Sequence, residues 1–235
     1  MNDIKKLRWV FVQPFLFVAL LWVVFGLDSY LDLNLYQYSL LPRDYNQWYG
    51  VFTFPLIHGD FDHIAGNAWS IFALLVGVRY FFPQLFGKVF WASFILPGII
   101  IFFIARPSFH LGASGMVYAL VAFLFFSGVL RLNRYLLALS MLMVFLYGNS
   151  VWYIFPIEDG ISWEGHLSGG IVGLVLAIIF RKTEPTTYIK EKEYFREDTG
   201  EEDPVIGDLW KPSSERENKE ENTQAPFVYI IKKEN

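Results

Sequence analysis

Cysteine is absent from the 235 residues, which excludes disulfides, thiolate metal ligands and a cysteine nucleophile. Charge is scarce too: Asp, Glu, Lys and Arg make up 18% of the chain, against about 25% in average soluble domains. The charge that exists is unevenly placed. Residues 1–182 hold 11 basic and 9 acidic side chains, whereas 183–235 hold 8 basic and 14 acidic. Neither part carries the basic surface that nucleic-acid binding requires, so no nucleic-acid partner is expected.

In place of charge there are long uncharged runs. Six windows contain no Asp, Glu, Lys or Arg: 9–27, 63–78, 89–105, 107–130, 135–157 and 165–180. A spanning helix needs about 20 mostly apolar residues, within a range of roughly 17 to 25. Four windows meet that length; the 16-residue windows 63–78 and 165–180 fall just short, and each begins next to a histidine. Lipid offers unpaired backbone groups no partner, so these runs should be helices. Barrel strands would alternate apolar and polar residues, and these blocks do not. The expected fold is all-α: one membrane body over 1–182, with six spans at approximately 9–27, 63–82, 88–105, 114–130, 135–155 and 165–181.

Lys and Arg near the span ends set orientation. Nine of them, from Lys5 to Lys182, fall on one side of the six-span arrangement, and only Arg43 and Arg106 on the other. This bias predicts cytoplasmic termini. The first apolar stretch exceeds the 7–15 residues or so of a signal-peptide core and lacks a small-x-small site, so an uncleaved span is expected. The loop from Asp28 to Asp62 is polar and aromatic, with Tyr45-Asn46-Gln47-Trp48-Tyr49, a composition suited to the headgroup region. The acidic tail, 183–235, is expected to be disordered, with Pro226–Ile231 as its one apolar patch.

The informative residues are polar groups inside the spans, which are functional candidates by default. Counting back from the cytoplasmic charge that ends each even-numbered span, at about 1.5 Å per residue, puts His63, Ser114 and His166 roughly 24, 25 and 22 Å up. All three therefore lie at one level below the outer surface of a core about 30 Å thick. Asn67 is one turn deeper than His63 on the same helix face.

These groups suit acyl-transfer chemistry. Ser114 sits in Gly112-Ala113-Ser114-Gly115 at the start of an apolar helical run. Small neighbours leave its hydroxyl uncovered, and the helix N-terminus brings partial positive charge to a developing oxyanion. A serine hydroxyl needs a base within about 2.6–3.2 Å, and His166 is the natural one. Asn67 and His63 can donate N–H to the oxyanion. His166, Gly170 and Gly173 fall at i, i+4 and i+7, so one stripe of span six is expected to pack closely on Gly115 of span four.

The combination resembles the rhomboid family of intramembrane serine proteases. The resemblance rests on His58-x4-His63-x3-Asn67, on Gly112-x-Ser114-Gly115, and on His166 followed by Gly169 and Gly170. It covers approximately residues 9–181. It implies a six-helix rhomboid bundle that cuts membrane-spanning proteins near the outer surface by a serine–histidine dyad, without a third acid, metal or cofactor. Ser114 would be the nucleophile and His166 the general base. His63, Asn67 and the Ser114 backbone N–H would form the oxyanion hole, with Gly112 shaping its loop. Tyr118 matches the position whose ring stacks on the base, and His58 a structural position at the top of span two. The implied partners are single-span or multi-span membrane proteins and the surrounding lipid. Two departures stand out: Trp48-Tyr49 where the family often has Trp-Arg, and Gly165 where alanine is common before the base.

Two rivals come from other classes. A small ion or solute transporter would use His and Asn near the bilayer midplane, whereas these groups cluster near one surface. A non-catalytic client-binding protein of similar architecture would not need Ser114 and His166 together. A metal site is disfavoured, because His58 and His63, at i and i+5 on one helix, would point apart. His110 is expected to be a solvated loop residue. A chain without cysteine or an Arg/Ser-rich transit segment is expected in a bacterial inner membrane.

Overall fold

A computed structural model describes residues 3–146, 152–156 and 162–186. Its six main helices are α1 (Asp3–Leu31), α2 (Phe61–Phe81), α3 (Phe86–Ile104), α4 (Ser114–Arg131), α5 (Arg134–Leu146) and α6 (Trp163–Ile179). Among the described residues the only β pairing is an isolated antiparallel bridge between Leu40 and His110. Four helices, α1 to α4, are long and apolar enough to cross a membrane, and α6 is apolar but shorter at 17 residues. The expected fifth span, 135–155, is described as helix as far as Leu146, and 147–151 lie outside the described residues.

Helix ends differ from window ends for local reasons. α1 continues past Asp28 to Leu31, because a charge ends an apolar window without ending a helix. It stops where Asp32 and Asn34 take left-handed φ values of 50° and 53°, and the Asp28 carboxylate accepts the Leu35 N–H at 3.0 Å. α2 starts at Phe61 because Asp60 caps it, its carboxylate accepting the His63 N–H at 2.8 Å.

Leu74, Leu75, Val78, Leu120, Phe123 and Leu124 are fully buried where α2 and α4 meet. The outward side chains are apolar too, Phe15, Trp91, Phe103 and Phe145 among them; facing lipid rather than water, they incur no hydrophobic cost. α4 and α6 approach closest, and small residues allow it. A Cβ on Gly169 would lie 2.1 Å from the Gly115 carbonyl oxygen, and one on Gly173 would lie 2.1 Å from that of Ala119. The packing stripe is therefore Gly169 and Gly173, with the Gly165 carbonyl oxygen 3.3 Å from a Cβ built on Gly115. The expectation for Gly170 needs correction: a Cβ there would meet nothing within 4 Å. A step of four from Gly165 turns Gly169 onto α4 and rotates Gly170 towards open space.

The segment from Asp32 to Asp60 packs against α3 and the 105–113 loop. Leu40 and His110 exchange both backbone hydrogen bonds, at 3.0 and 2.8 Å, and the Arg43 N–H donates to the Phe102 carbonyl at 2.9 Å. Gly98 admits the Phe54 ring, which would lie 2.6 Å from a Cβ there. Tyr45 and Trp48 stay exposed.

The beginning of the expected tail is docked on the helical body. Arg131 Nε donates to the Thr183 carbonyl at 3.1 Å, and Gln84 Nε2 donates to the Glu184 carbonyl at 3.1 Å. Arg131 also donates to the Ser127 and Phe180 carbonyls, satisfying acceptors that helix ends leave open. The remainder of the tail, with the apolar patch at 226–231, lies outside the described residues.

Candidate active site

The 105–113 loop delivers Ser114. Gly112 has φ +98°, a conformation that L side chains rarely adopt, and a Cβ there would lie 2.4 Å from His63 Nε2. Glycine is required on both counts. The Gly112 N–H donates to the Phe54 carbonyl at 2.9 Å, anchoring the turn. α4 then begins at Ser114 with no side-chain cap, and its N-terminus directs partial positive charge at the site.

α6 delivers His166 one helical turn inside its N-terminus. Its Nε2 lies 3.0 Å from Ser114 Oγ, and its Nδ1 lies 2.9 Å from the backbone carbonyl oxygen of Tyr153. A carbonyl can only accept, so Nδ1 carries the proton and Nε2 is left to accept the serine hydroxyl hydrogen. The tautomer required of a general base is thus set by a backbone oxygen. Tyr118 stacks on the imidazole with ring centroids 4.2 Å apart and planes 13° apart, restricting the rotation of the ring.

His63 and Asn67 flank the same point from α2. Asn67 Nδ2 is buried and has no hydrogen-bond partner, and 3.5 Å separates it from a Cβ built on Gly112. A buried unpaired donor is costly, and one that lines the same cavity as Ser114 is in position to meet a developing negative charge. His58 lies behind His63. Its Nε2 accepts the Ala113 N–H at 3.3 Å, tying the segment before α2 to the residue preceding Ser114. Burial, followed by the neighbouring His63 ring, pushes the His58 pKa down to about 4, so the ring is neutral.

Two expectations are corrected. His58 and His63 do not point apart: their rings meet edge to face at 5.1 Å, because α2 starts only at Phe61 and helical spacing does not apply to His58. His110 is not solvated but 2% exposed, since its backbone pairs with Leu40 and carries the ring inward. Its Nδ1 lies 2.6 Å from Ser162 Oγ and its Nε2 lies 3.2 Å from the Arg106 carbonyl oxygen.

Four contributors went unread in the sequence: the Tyr153 carbonyl, Ser162, Glu164 and Arg106. The carbonyl has no side-chain signature. Ser162 was visible as a serine three residues before Gly165, a spacing that caps a helix start; its Oγ does accept the Gly165 N–H at 3.3 Å. Glu164, at the border of the uncharged window 165–180, is buried and paired with Arg106 at 3.3 Å.

A cavity of about 740 Å³ adjoins the dyad. His63, Asn67, Ser114 and His166 line its polar part, and Leu74, Phe125, Phe126 and Met141 continue it as an apolar groove among α2, α4 and α5. No group of three or more His, Asp or Glu arranged to hold a metal ion occurs among the described residues.

The family model described as Rhomboid domain matches residues 45–183. An uncharacterized protein of Mycobacterium bovis and one of Mycobacterium tuberculosis are each 30% identical over 198 residues, covering 77% of this chain and 80% of the relative. An uncharacterized protein of Mycobacterium leprae is 27% identical over 197 residues, covering 78% of this chain and 77% of the relative.

Proposed function

Because the chain belongs to the rhomboid family, we propose that this integral membrane protein is a serine endopeptidase. It cleaves peptide bonds of membrane-spanning proteins near the outer surface of a bacterial inner membrane. One observation carries the reading: Ser114 Oγ lies 3.0 Å from His166 Nε2, while His166 Nδ1 is engaged by the Tyr153 carbonyl. Packing alone does not require that pairing, nor that tautomer.

In this reading Ser114 attacks the scissile carbonyl carbon as His166 Nε2 takes the hydroxyl proton. The imidazolium is stabilised by Nδ1–H donation to Tyr153 and by the Tyr118 ring. Oxyanion charge falls to the Ser114 backbone N–H, the Asn67 amide and His63. His166 then returns its proton to the leaving amine, and the C–N bond breaks. A water delivered through the cavity, deprotonated by the same nitrogen, hydrolyses the acyl-serine. A helical substrate hides its carbonyls in i→i−4 hydrogen bonds, so it must unwind locally before attack. Helix-breaking residues near the cleavage site should favour cutting.

The charge bias at the span ends supports cytoplasmic termini, with 183–235 as an acidic cytoplasmic tail on the 1–182 body. The assay uses purified full-length chain in proteoliposomes with a panel of single-span substrates. Wild type should cleave; Ser114→Ala and His166→Ala should each abolish cleavage while the protein accumulates normally. Unchanged substrate after prolonged incubation with wild type would instead indicate a client-binding protein. Cleavage by either alanine variant would refute the dyad.

A further inference from the structure

The loop that ends in the nucleophile and the segment that leads into the base are joined a second time, one step before the dyad on both sides. His110 precedes Ser114 by four residues, and Ser162 precedes His166 by four. The two pairs have the same sequence separation of 52. We propose that His110, Ser162, Arg106 and Glu164 form a polar latch that holds His166 at proton-transfer distance from Ser114, with His110 and Ser162 acting as positioning residues. The proposal rests on the proteolytic reading above and deepens it.

The hydrogen-bond directions are fixed by what each atom can do. The Arg106 carbonyl only accepts, so His110 Nε2 carries the proton and donates to it at 3.2 Å. His110 Nδ1 is then an acceptor and takes the Ser162 hydroxyl hydrogen at 2.6 Å. Ser162 Oγ keeps a lone pair for the Gly165 N–H at 3.3 Å, capping α6 just before His166. The chain Gly165 to Ser162 to His110 to Arg106 therefore runs one way, from the base's helix into the nucleophile's loop. It requires a neutral His110, and burial lowers the pKa of that ring.

Glu164 adds a second, charged link. It is 4% exposed; its Oε1 accepts the Arg106 backbone N–H at 3.3 Å and lies 3.3 Å from Arg106 Nε in an ion pair. A buried carboxylate is retained only where it is paired. Here it spans the same two segments as the serine–histidine link. The backbone bridge between His110 and Leu40 anchors the loop end of the latch to the rest of the body.

A latch of this kind affects the chemical step more than substrate binding, because it sets the Oγ–Nε2 geometry and lines none of the described cavity. The test measures kcat and KM for a single-span substrate, the rate of Ser114 labelling by a fluorophosphonate, and the thermal unfolding midpoint. His110→Phe and Ser162→Ala should each lower kcat and the labelling rate on the order of tenfold, with KM within about twofold. The double variant should be no worse than the poorer single one, since both break one link. Ser162→Thr, which keeps the hydroxyl, should restore both rates. Should His110→Phe fail to fold, Ser162→Ala and the isosteric Glu164→Gln carry the test. Wild-type kcat and labelling in Ser162→Ala, or additive losses in the double variant, would overturn the latch. A wild-type chain that neither cleaves nor labels would instead overturn the proteolytic reading, so the two failures are told apart by the parent protein.

Discussion

Gly169→Ala should separate the dyad without touching it. A methyl at Gly169 would lie 2.1 Å from the Gly115 carbonyl oxygen and 3.1 Å from Tyr118 Cβ. An ordinary C···O contact is about 3.3 Å or more. The two backbones must therefore move apart by roughly 1.2 Å, since neither obstructing atom is the end of a flexible side chain. Gly115 adjoins Ser114, and Gly169 lies one turn beyond His166, so this movement acts directly on the dyad. It would stretch the 3.0 Å Oγ–Nε2 contact to about 4 Å, beyond a hydrogen bond. Misplacement of about 1 Å costs on the order of 10²-fold in rate, while overpacking of this kind costs about 1–3 kcal/mol of stability. The assay compares kcat per folded enzyme in proteoliposomes, with Gly26→Ala as control, because a Cβ at Gly26 meets nothing within 4 Å. Gly169→Ala should lose about 10²-fold in kcat and remain folded. Retention of kcat within threefold or so would mean that close approach of α4 and α6 does not set the catalytic distance, and the reasoning would fail.

Two other variants probe the surroundings of the dyad. Asn67→Ala removes a buried amide donor that has no other partner and should lower kcat by about 10²–10³-fold, read in the same cleavage assay. His58 makes the fold acid-sensitive. Its folded pKa of about 4 lies below the unfolded 6.5, so the unfolded chain binds a proton that the folded chain refuses between those values. Stability is therefore full above pH 6.5 and falls by about 3 kcal/mol as the pH drops to about 4. His58→Gln, which keeps an acceptor for the Ala113 N–H, should flatten that part of the stability–pH curve, as followed by denaturant unfolding.

The helical body was legible because hydrocarbon tolerates so little else. Five of the six uncharged windows begin inside an observed helix, and the sixth, 107–130, begins seven residues before α4. Asp28 shows where window and helix part: the carboxylate ends the apolar run but sits on α1 without breaking it. The site was half legible. Ser114, His166, His63 and Asn67 declared themselves as polar groups at one depth and Gly115 by its place beside the serine, whereas the roles of Gly112 and Tyr118 came from the family resemblance. Projecting His58 along a helix failed because Asp60 starts that helix later. Reading His110 as solvated failed because its burial depends on a backbone bridge to Leu40, 70 residues earlier.

Residue chemistry and apolar run length were enough to decide a helical membrane body, a serine and an imidazole at matching heights, and the small residues that permit close packing. Lateral arrangement belonged to the tertiary structure alone. Periodicity along a helix says which residues share a face, but not which neighbour that face meets. Only the folded chain put Gly169 rather than Gly170 against α4, joined His110 to Ser162, and aimed the Tyr153 carbonyl at His166. A main-chain oxygen looks the same at every position in a sequence, so its role appears only once the fold has brought it to the ring.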